Sequence, residues 1–286
     1  MAKKADRAAT VGTWLASLHS RLDTASDTPG LDSQLLLARV LGQPRSLVLA
    51  HPEAVLASDQ AAELEALAAR LQAGEPLPYV LGHWEFFGLD FEVTKDVLIP
   101  RPETELLVEK ALGWLHGHPA GRRLADVGTG SGCIGISLAV NVPDLQVTAT
   151  DVSCPAVDLA CANARRLGVD GRVKCFCSDL LPADRGAFDL IVANLPYIPT
   201  GTLRGLRVFG REPTLALDGG MDGLELIRRL LTEVPGRLQS PGLLLMEIEA
   251  SQGDRVLSLA YDTFSEAEIH LHQDIAGRDR LLEVLV

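Results

Sequence analysis

Phe188-Asp189-Leu190-Ile191-Val192-Ala193-Asn194-Leu195-Pro196-Tyr197 reads as a buried strand running into a turn that carries chemistry. The near-continuous apolar run predicts a strand covered on both faces, as in a parallel sheet, and the last four residues predict its carboxyl end. There Asn194 supplies an amide, Leu195-Pro196 a stiff extended backbone and Tyr197 an aromatic face. A planar NH2 group fits such a place. The Asn194 oxygen and a main-chain carbonyl of Leu195 or Pro196 accept its two hydrogens, and the Tyr197 ring lies against its flat side. Asn and Pro also punctuate ordinary turns, so this stretch alone leaves both readings open.

A second loop upstream shifts the balance. Asp126-Val127-Gly128-Thr129-Gly130-Ser131-Gly132 also follows an apolar segment and precedes a helical pattern, so two loops at two strand ends make a site. Working outward, candidate strands at 123–127, 146–151, 172–177, 188–193, 242–248, 268–272 and 281–286 alternate with helical patterns. That order predicts an α/β fold: a Rossmann-like, doubly wound, mostly parallel seven-stranded sheet with ligands at the carboxyl ends of its strands.

The chain ahead of this sheet has a different texture. Residues 1–75 carry apolar side chains at helical spacing, Val11, Trp14, Leu15, Leu18 and Leu22 first, then Leu36, Leu37, Val40 and Leu41. A further helix from about Asp59 to Gln72 ends at Gly74, suited to a left-handed cap. These predict a small helical bundle. Residues 76–97 turn aromatic and alternating around Gly88, which predicts a linking β-hairpin, and residues 98–286 form the α/β domain.

Composition narrows the function classes. At 286 residues and 47% hydrophobic content the chain can bury a full core. Net charge is −12, and basic residues number 7 against 9 acidic in 1–76 and 19 against 29 in the remainder, so neither part has the basic excess of an avid nucleic-acid binder. Five cysteines, with no CxxC pair and no plausible disulfide ladder, point to a reducing cytoplasm. His116-Gly-His118 and His270-Leu-His272 lack partners at ligand spacing, so no metal is expected. After Met1-Ala2-Lys3-Lys4, the charges of Asp6 and Arg7 break any leader core, and no stretch is long enough to span a bilayer.

Gly130-Ser-Gly132-Cys-Ile-Gly135 satisfies a dinucleotide pattern, with Asp151 19 residues after Gly132, so the pattern alone does not select the cofactor. Its surroundings suit S-adenosylmethionine: Asp126 precedes the first glycine, and no hydride-transfer constellation is evident. Gly128, Gly130 and Gly132 let the backbone approach closely, with Thr129 and Ser131 between them, and a helix starting near Ser131 presents free NH groups to the methionine carboxylate. Asp151 accepts from both ribose hydroxyls, unless it is a plain helix cap, and Asp179 with Leu180 falls where adenine would lie.

These residues lead to a resemblance covering nearly all of the chain. Val97-Leu-Ile-Pro-Arg-Pro-Glu-Thr-Glu105, Asp126–Gly132, Asp151, Asn194–Ile198, Glu212-Pro-Thr-Leu-Ala-Leu-Asp-Gly-Gly220 with Asp222-Gly223, and Gly277-Arg-Asp-Arg280 together resemble the HemK/PrmC family of protein-(glutamine-N5) methyltransferases. The resemblance implies a class I S-adenosylmethionine-dependent methyltransferase. It would methylate the glutamine side-chain nitrogen in the Gly-Gly-Gln tripeptide of class 1 peptide chain release factors. It further implies Asn194 and Tyr197 as catalytic residues, Asn194 also beside the cofactor. Leu195, Pro196 and Glu212 then lie on the substrate side, Arg101 and Glu103 border the cofactor, and residues 1–75 dock the release factor. A monomer without direct nucleic-acid contact is expected. Departures stand at Leu195, where the family has proline, at Glu249, where it has glycine, and in the arginine-bearing stretch Thr200–Arg211. A nucleic-acid amino-methyltransferase and a non-catalytic cofactor-binding module are the rival readings.

Overall fold

The computed structural model describes residues 9–183 and 185–286. The Met1-to-Arg7 stretch read above for a leader lies outside them. By its contacts the chain divides into two compact units, Met1–Gly82 and His83–Val286.

In the first unit the helices are α1 (Val11–Leu22), α2 (Pro29–Leu41), α3 (Arg45–Ala50), α4 (Ser58–Gln72) and α5 (Leu77–Leu81). Leu18, Leu22, Leu36, Leu37, Leu64 and Ala68 are all fully buried, so the helical spacing of these residues is the core of a bundle. Gly74, at φ +90°, closes α4: Gly74 N donates to Leu71 O and Glu75 N to Arg70 O, the paired bonds of a left-handed cap. The segment after Pro76, read as the start of a hairpin, opens instead with the helix α5, for which Pro78 sits in the first turn and Gly82 at the end.

The second unit begins with the hairpin β1 (His83–Phe86) and β2 (Leu89–Glu92), whose Phe86 and Phe91 are buried in that unit's own core. Then follow α6 (Glu105–Gly117), β3 (Arg123–Val127), α7 (Cys133–Asn141), β4 (Gln146–Asp151), α8 (Cys154–Arg166), β5 (Val173–Cys177) and β6 (Phe188–Ala193). The chain continues through α9 (Thr200–Leu203), α10 (Glu225–Glu233), β7 (Leu238–Glu247), α11 (Gly253–Thr263), β8 (Glu268–Gln273) and β9 (Asp279–Leu285). The sheet order is β5-β4-β3-β6-β7-β9-β8, with β9 antiparallel to both of its neighbours and the other pairings parallel. This is the doubly wound sheet expected, reversing its winding between β3 and β6.

Both faces of the sheet are buried, and the strand alternation sorts the side chains between them. Leu190 and Val192 of β6 join the core shared with α6, α7 and α8, while Ile191 and Ala193 join the core shared with α10 and α11. That is why β6 reads as an unbroken apolar run. It also delivers Asn194 next to the β3 loop, because β3 and β6 pair up to Val127↔Ala193.

The cysteine reading requires a correction. Cys154 and Cys177 form a disulfide, with 5.1 Å between their Cα atoms. Parallel pairing sets Cys177 opposite Asp151, and the short turn after Asp151 returns the first residue of α8 over that strand end. A contact made by tertiary pairing leaves no mark in cysteine spacing.

Candidate active site

The carboxyl ends of β3, β4, β5 and β6 open onto a cavity of about 420 Å³. Of the residues singled out in the sequence, Arg101, Gly128, Thr129, Gly130, Ser131, Asp151, Asp179, Leu180, Asn194, Leu195 and Pro196 line it, while Glu103, Gly132, Tyr197 and Glu212 do not. Lys95, Asp96, Val97, Leu98 and Pro100, with Pro213, Leu215 and Ala216, supply further wall, so the two segments that carry the family resemblance, 97–105 and 212–220, both reach the cavity.

The glycine loop is held from beneath by Asp126. Its Oδ2 accepts from Thr129 Oγ1 (2.6 Å) and from Gly135 N (3.0 Å) at the start of α7. Thr129 therefore turns its hydroxyl away from the cavity and presents backbone to it. Asp126 is fully buried, and burial pushes its carboxyl up to about 6 against the pull of those two bonds. Gly128, at φ +72°, is also where the two loops touch: a Cβ there would lie 2.9 Å from Leu195 Cδ2. The helix α7 begins at Cys133, with Gly132 as its cap packed against Ile136 and Ala160, which takes Gly132 off the cavity wall.

Asp151 ends β4 with both oxygens engaged, Oδ2 accepting from Gly130 N (2.9 Å) and Oδ1 from Ser153 N (2.9 Å). The cap of α8 is Ser153, so Asp151 is free of that duty. Burial raises its carboxyl above the usual range, and the Ser153, Gly130 and Val152 amides oppose the rise. Each carboxylate oxygen keeps a lone pair for a ligand hydroxyl. Asp179 pairs with Arg229 (2.7 Å) at the rim, and both residues line the cavity. Leu180 is buried with φ +57°, a left-handed conformation that a leucine adopts only when its surroundings hold it there.

On the opposite wall Asn194 Nδ2 donates to Thr104 Oγ1 (3.2 Å), and Thr104 Oγ1 donates to Glu247 Oε2 (2.7 Å). The Tyr197 hydroxyl donates to Glu247 Oε1 (3.2 Å). Burial, then the charge of Glu247, pushes that phenol above its ordinary range, so it remains a donor. Burial likewise raises Glu247, while its bonds to Thr104 and Tyr197 and the nearby Arg280 act the other way. Thr104 and Glu247 were missed in the sequence. Thr104 looks like a helix cap at the start of α6, yet its side chain makes no cap bond there.

The backbone of this loop is clamped from outside. Gln252 Nε2 donates to Tyr197 O (2.9 Å) and to Gly223 O (3.3 Å). A Cβ on Gly223, at φ +77°, would come within 2.2 Å of Tyr197 O, and one on Gly219 within 2.7 Å of Pro196 O. Positions 219 and 223 therefore have to be glycine so that this turn can press on the Pro196-Tyr197 backbone. Glu212 is similarly committed: its carboxylate accepts from Ile99 N (3.2 Å) and pairs with Arg101 (2.5 Å). It thus pins the 99–101 segment of the wall rather than facing the cavity.

Comparison with known proteins supplies the family. Residues 13–82 match the family described as PrmC N-terminal domain, and residues 103–204 the methyltransferase small domain. A release factor glutamine methyltransferase of Moorella thermoacetica is 44% identical over 256 residues, covering 89% of this chain and 90% of that one. One of Bordetella pertussis is 42% identical over 263 residues, covering 88% and 93%. Among solved structures, a methyltransferase from Pyrococcus furiosus matches with a TM-score of 0.50 at 18% identity, covering 80% of this chain and 98% of that one, a likeness of fold alone. With the sheet order of a class I methyltransferase and relatives this similar along nearly their whole length, the chain belongs to the release factor glutamine methyltransferase family.

Proposed function

We propose that this chain transfers a methyl group from S-adenosylmethionine to the side-chain amide nitrogen of the glutamine in the Gly-Gly-Gln tripeptide of class 1 peptide chain release factors. The observation that carries the reading is Asn194. Its NH2 end is taken by Thr104, and it lines the same cavity as the glycine loop and Asp151.

The residues present fit the cofactor. Gly130 has no atom within 4 Å of where a Cβ would sit, so its backbone borders open space, and Asp151 offers a largely buried carboxylate beside it. Gly128, Gly130 and Ser131 would hold the methionine part, Asp151 the ribose, and Asp179 with Leu180 the adenine. When bound, S-adenosylmethionine supplies an electrophilic methyl group.

An amide nitrogen is a poor nucleophile because its lone pair is delocalised into the carbonyl. The protein's part is therefore alignment, which is worth up to roughly 7–11 kcal/mol when it removes the entropy of encounter. Asn194 Oδ1 accepts one N–H of the acceptor amide and the Leu195 or Pro196 carbonyl the other. Tyr197, held through its hydroxyl by Glu247, stands behind the cavity wall and is assigned to backing the face on which the amide rests. An amide nitrogen that has gained a methyl group is strongly acidic and loses its proton to water, so no side-chain base is required. The helical unit is assigned to docking the release factor, in keeping with its nearly balanced charge, and such an acceptor places the enzyme in the cytoplasm. Among the described residues no helix is long and apolar enough to cross a membrane.

Incubation with methyl-labelled S-adenosylmethionine, a release factor, its Gln→Ala variant and bulk RNA tests this reading. Label in the unaltered release factor alone is the expected result. Label in RNA would favour the amino-methyltransferase of nucleic acids instead, since an exocyclic base amine is also planar and conjugated.

A further inference from the structure

An asparagine amide has two ends of nearly equal shape, and its hydrogen-bond partners decide which end faces a ligand. The partners of Asn194 lie far away in the chain. Asn194 Nδ2 donates to Thr104 Oγ1 at 3.2 Å, and Thr104 Oγ1 donates its single proton to Glu247 Oε2 at 2.7 Å. Thr104 is 2% exposed and Glu247 3%, so water does not substitute in this chain of bonds. The second Glu247 oxygen is occupied by the Tyr197 hydroxyl.

The directions follow from elementary donor counting. A carboxylate only accepts, so Glu247 draws the hydroxyl protons of Thr104 and Tyr197 toward itself. Thr104 is then left with lone pairs alone on the side of Asn194, and satisfies only the NH2 end of that amide. The reversed amide would set oxygen against oxygen in a buried place. Among the described residues no donor is hydrogen-bonded to Asn194 Oδ1.

We propose that Thr104 and Glu247 are positioning residues for the acceptor, which through one relay hold the Asn194 amide with its oxygen toward the cavity and fix the Tyr197 ring beside it. The inference rests on the function proposed above for Asn194. It assigns to the glutamate at the end of β7 and the threonine at the start of α6 a role in turnover distinct from their packing. A neutral amide in place of Glu247 offers a donor as well as an acceptor, so the Thr104 proton is no longer fixed toward position 247 and the Asn194 amide loses its single preferred end.

The chain has three asparagines, Asn141, Asn163 and Asn194. Labelling with 15N-asparagine therefore gives three side-chain NH2 pairs, and Asn194→Ala identifies the one in question. Thr104→Val keeps the shape and removes the hydroxyl. It is expected to move the Asn194 pair and speed its proton exchange while the other two pairs stay in place. Its kcat on a release factor should fall about 10–100-fold with KM for both substrates little changed. Thr104→Ser should restore the NH2 pair and recover kcat to within about threefold, and Glu247→Gln should behave like the valine variant.

An unmoved NH2 pair in Thr104→Val overturns the proposal. So does a serine variant as impaired as the valine one, or a defect confined to KM or to melting temperature. Should Thr104→Val not fold, the contrast between Thr104→Ser and Glu247→Gln decides the same point. Failure of the wild-type enzyme to label a release factor would overturn the assigned function, whereas the amide spectrum still decides the positioning.

Discussion

The two loops that meet at the cavity are held by partners at different distances along the chain. The glycine loop is secured by its near neighbours in the chain: Asp126 holds Thr129 and Gly135, three and nine residues on, while Thr150 O and Asp151 hold the Gly128, Thr129 and Gly130 amides and Asn163 the Ser131 carbonyl. The Asn194-to-Tyr197 loop is secured from a distance, by Thr104, Glu247 and Gln252, which stand 90, 50 and 55 residues from the residues they hold. A cofactor common to many enzymes is met by a turn braced within the consecutive β3-to-α8 stretch. The acceptor is met by a turn whose shape is set by the whole domain. Damage to the first should appear as weakened cofactor binding, and damage to the second as slowed turnover.

The sharpest way to break this division is Asn194→Ala. Turnover on a release factor should fall by about 10²–10³-fold or more, the range for loss of a single preorganised hydrogen-bonding group. Binding of S-adenosylmethionine, followed by calorimetry, should weaken only partly. Equal losses in both would erase the distinction between the loops.

Gly223→Ala attacks the same loop from behind. The added Cβ meets Tyr197 O at 2.2 Å at a positive φ, so the turn has to move. A loss of about 2–4 kcal/mol in urea unfolding is expected, together with reduced kcat. Unchanged stability would mean that the Pro196-Tyr197 backbone is not clamped there.

The glycine loop carries a pH signature of its own. Burial lifts Asp126 to about 6, above the ~3.9 of an exposed aspartate, so between those values the folded state keeps a proton that the unfolded chain releases. Its contribution to stability is complete below about pH 4 and is lost as pH rises through 6, a change of about 3 kcal/mol. Between pH 4 and pH 7 the unfolding free energy from urea titration should therefore fall by up to about that amount more for wild type than for Asp126→Asn. Parallel profiles would contradict the buried-carboxylate account.

The smallest effect is expected for Asp151→Asn. It should weaken S-adenosylmethionine binding by about tenfold, the worth of one hydrogen bond to a charged group, while kcat at saturating cofactor holds. A drop in kcat with unaltered affinity would place Asp151 on the acceptor side.

The same contrast explains what was legible beforehand. Strands at 123–127, 146–151 and 188–193 match their predicted bounds because apolar runs and flanking turn residues are local signals. So are the glycines of the β3 loop and the amide at the end of β6. Thr104 carried the signal of a helix cap, and nothing near Glu247 pointed to Tyr197, since both bonds close only when β6, β7 and the start of α6 come together. The Cys154–Cys177 disulfide was hidden for the same reason, and Gly219 and Gly223, legible only as part of the resembling motif, showed their purpose once the backbone they press on was in view.

The central claim is that a glutamine side chain is gripped by Asn194 within the cavity bordered by the glycine loop. It is tested most directly by the distance between the acceptor glutamine Nε2 and Asn194 Oδ1 in a crystal structure with S-adenosylhomocysteine and a Gly-Gly-Gln release factor bound. Hydrogen-bonding distance, with the Asn194 NH2 still on Thr104, is the predicted result. A glutamine seated elsewhere, or Asn194 turned from the cavity with the acceptor in place, would contradict the account.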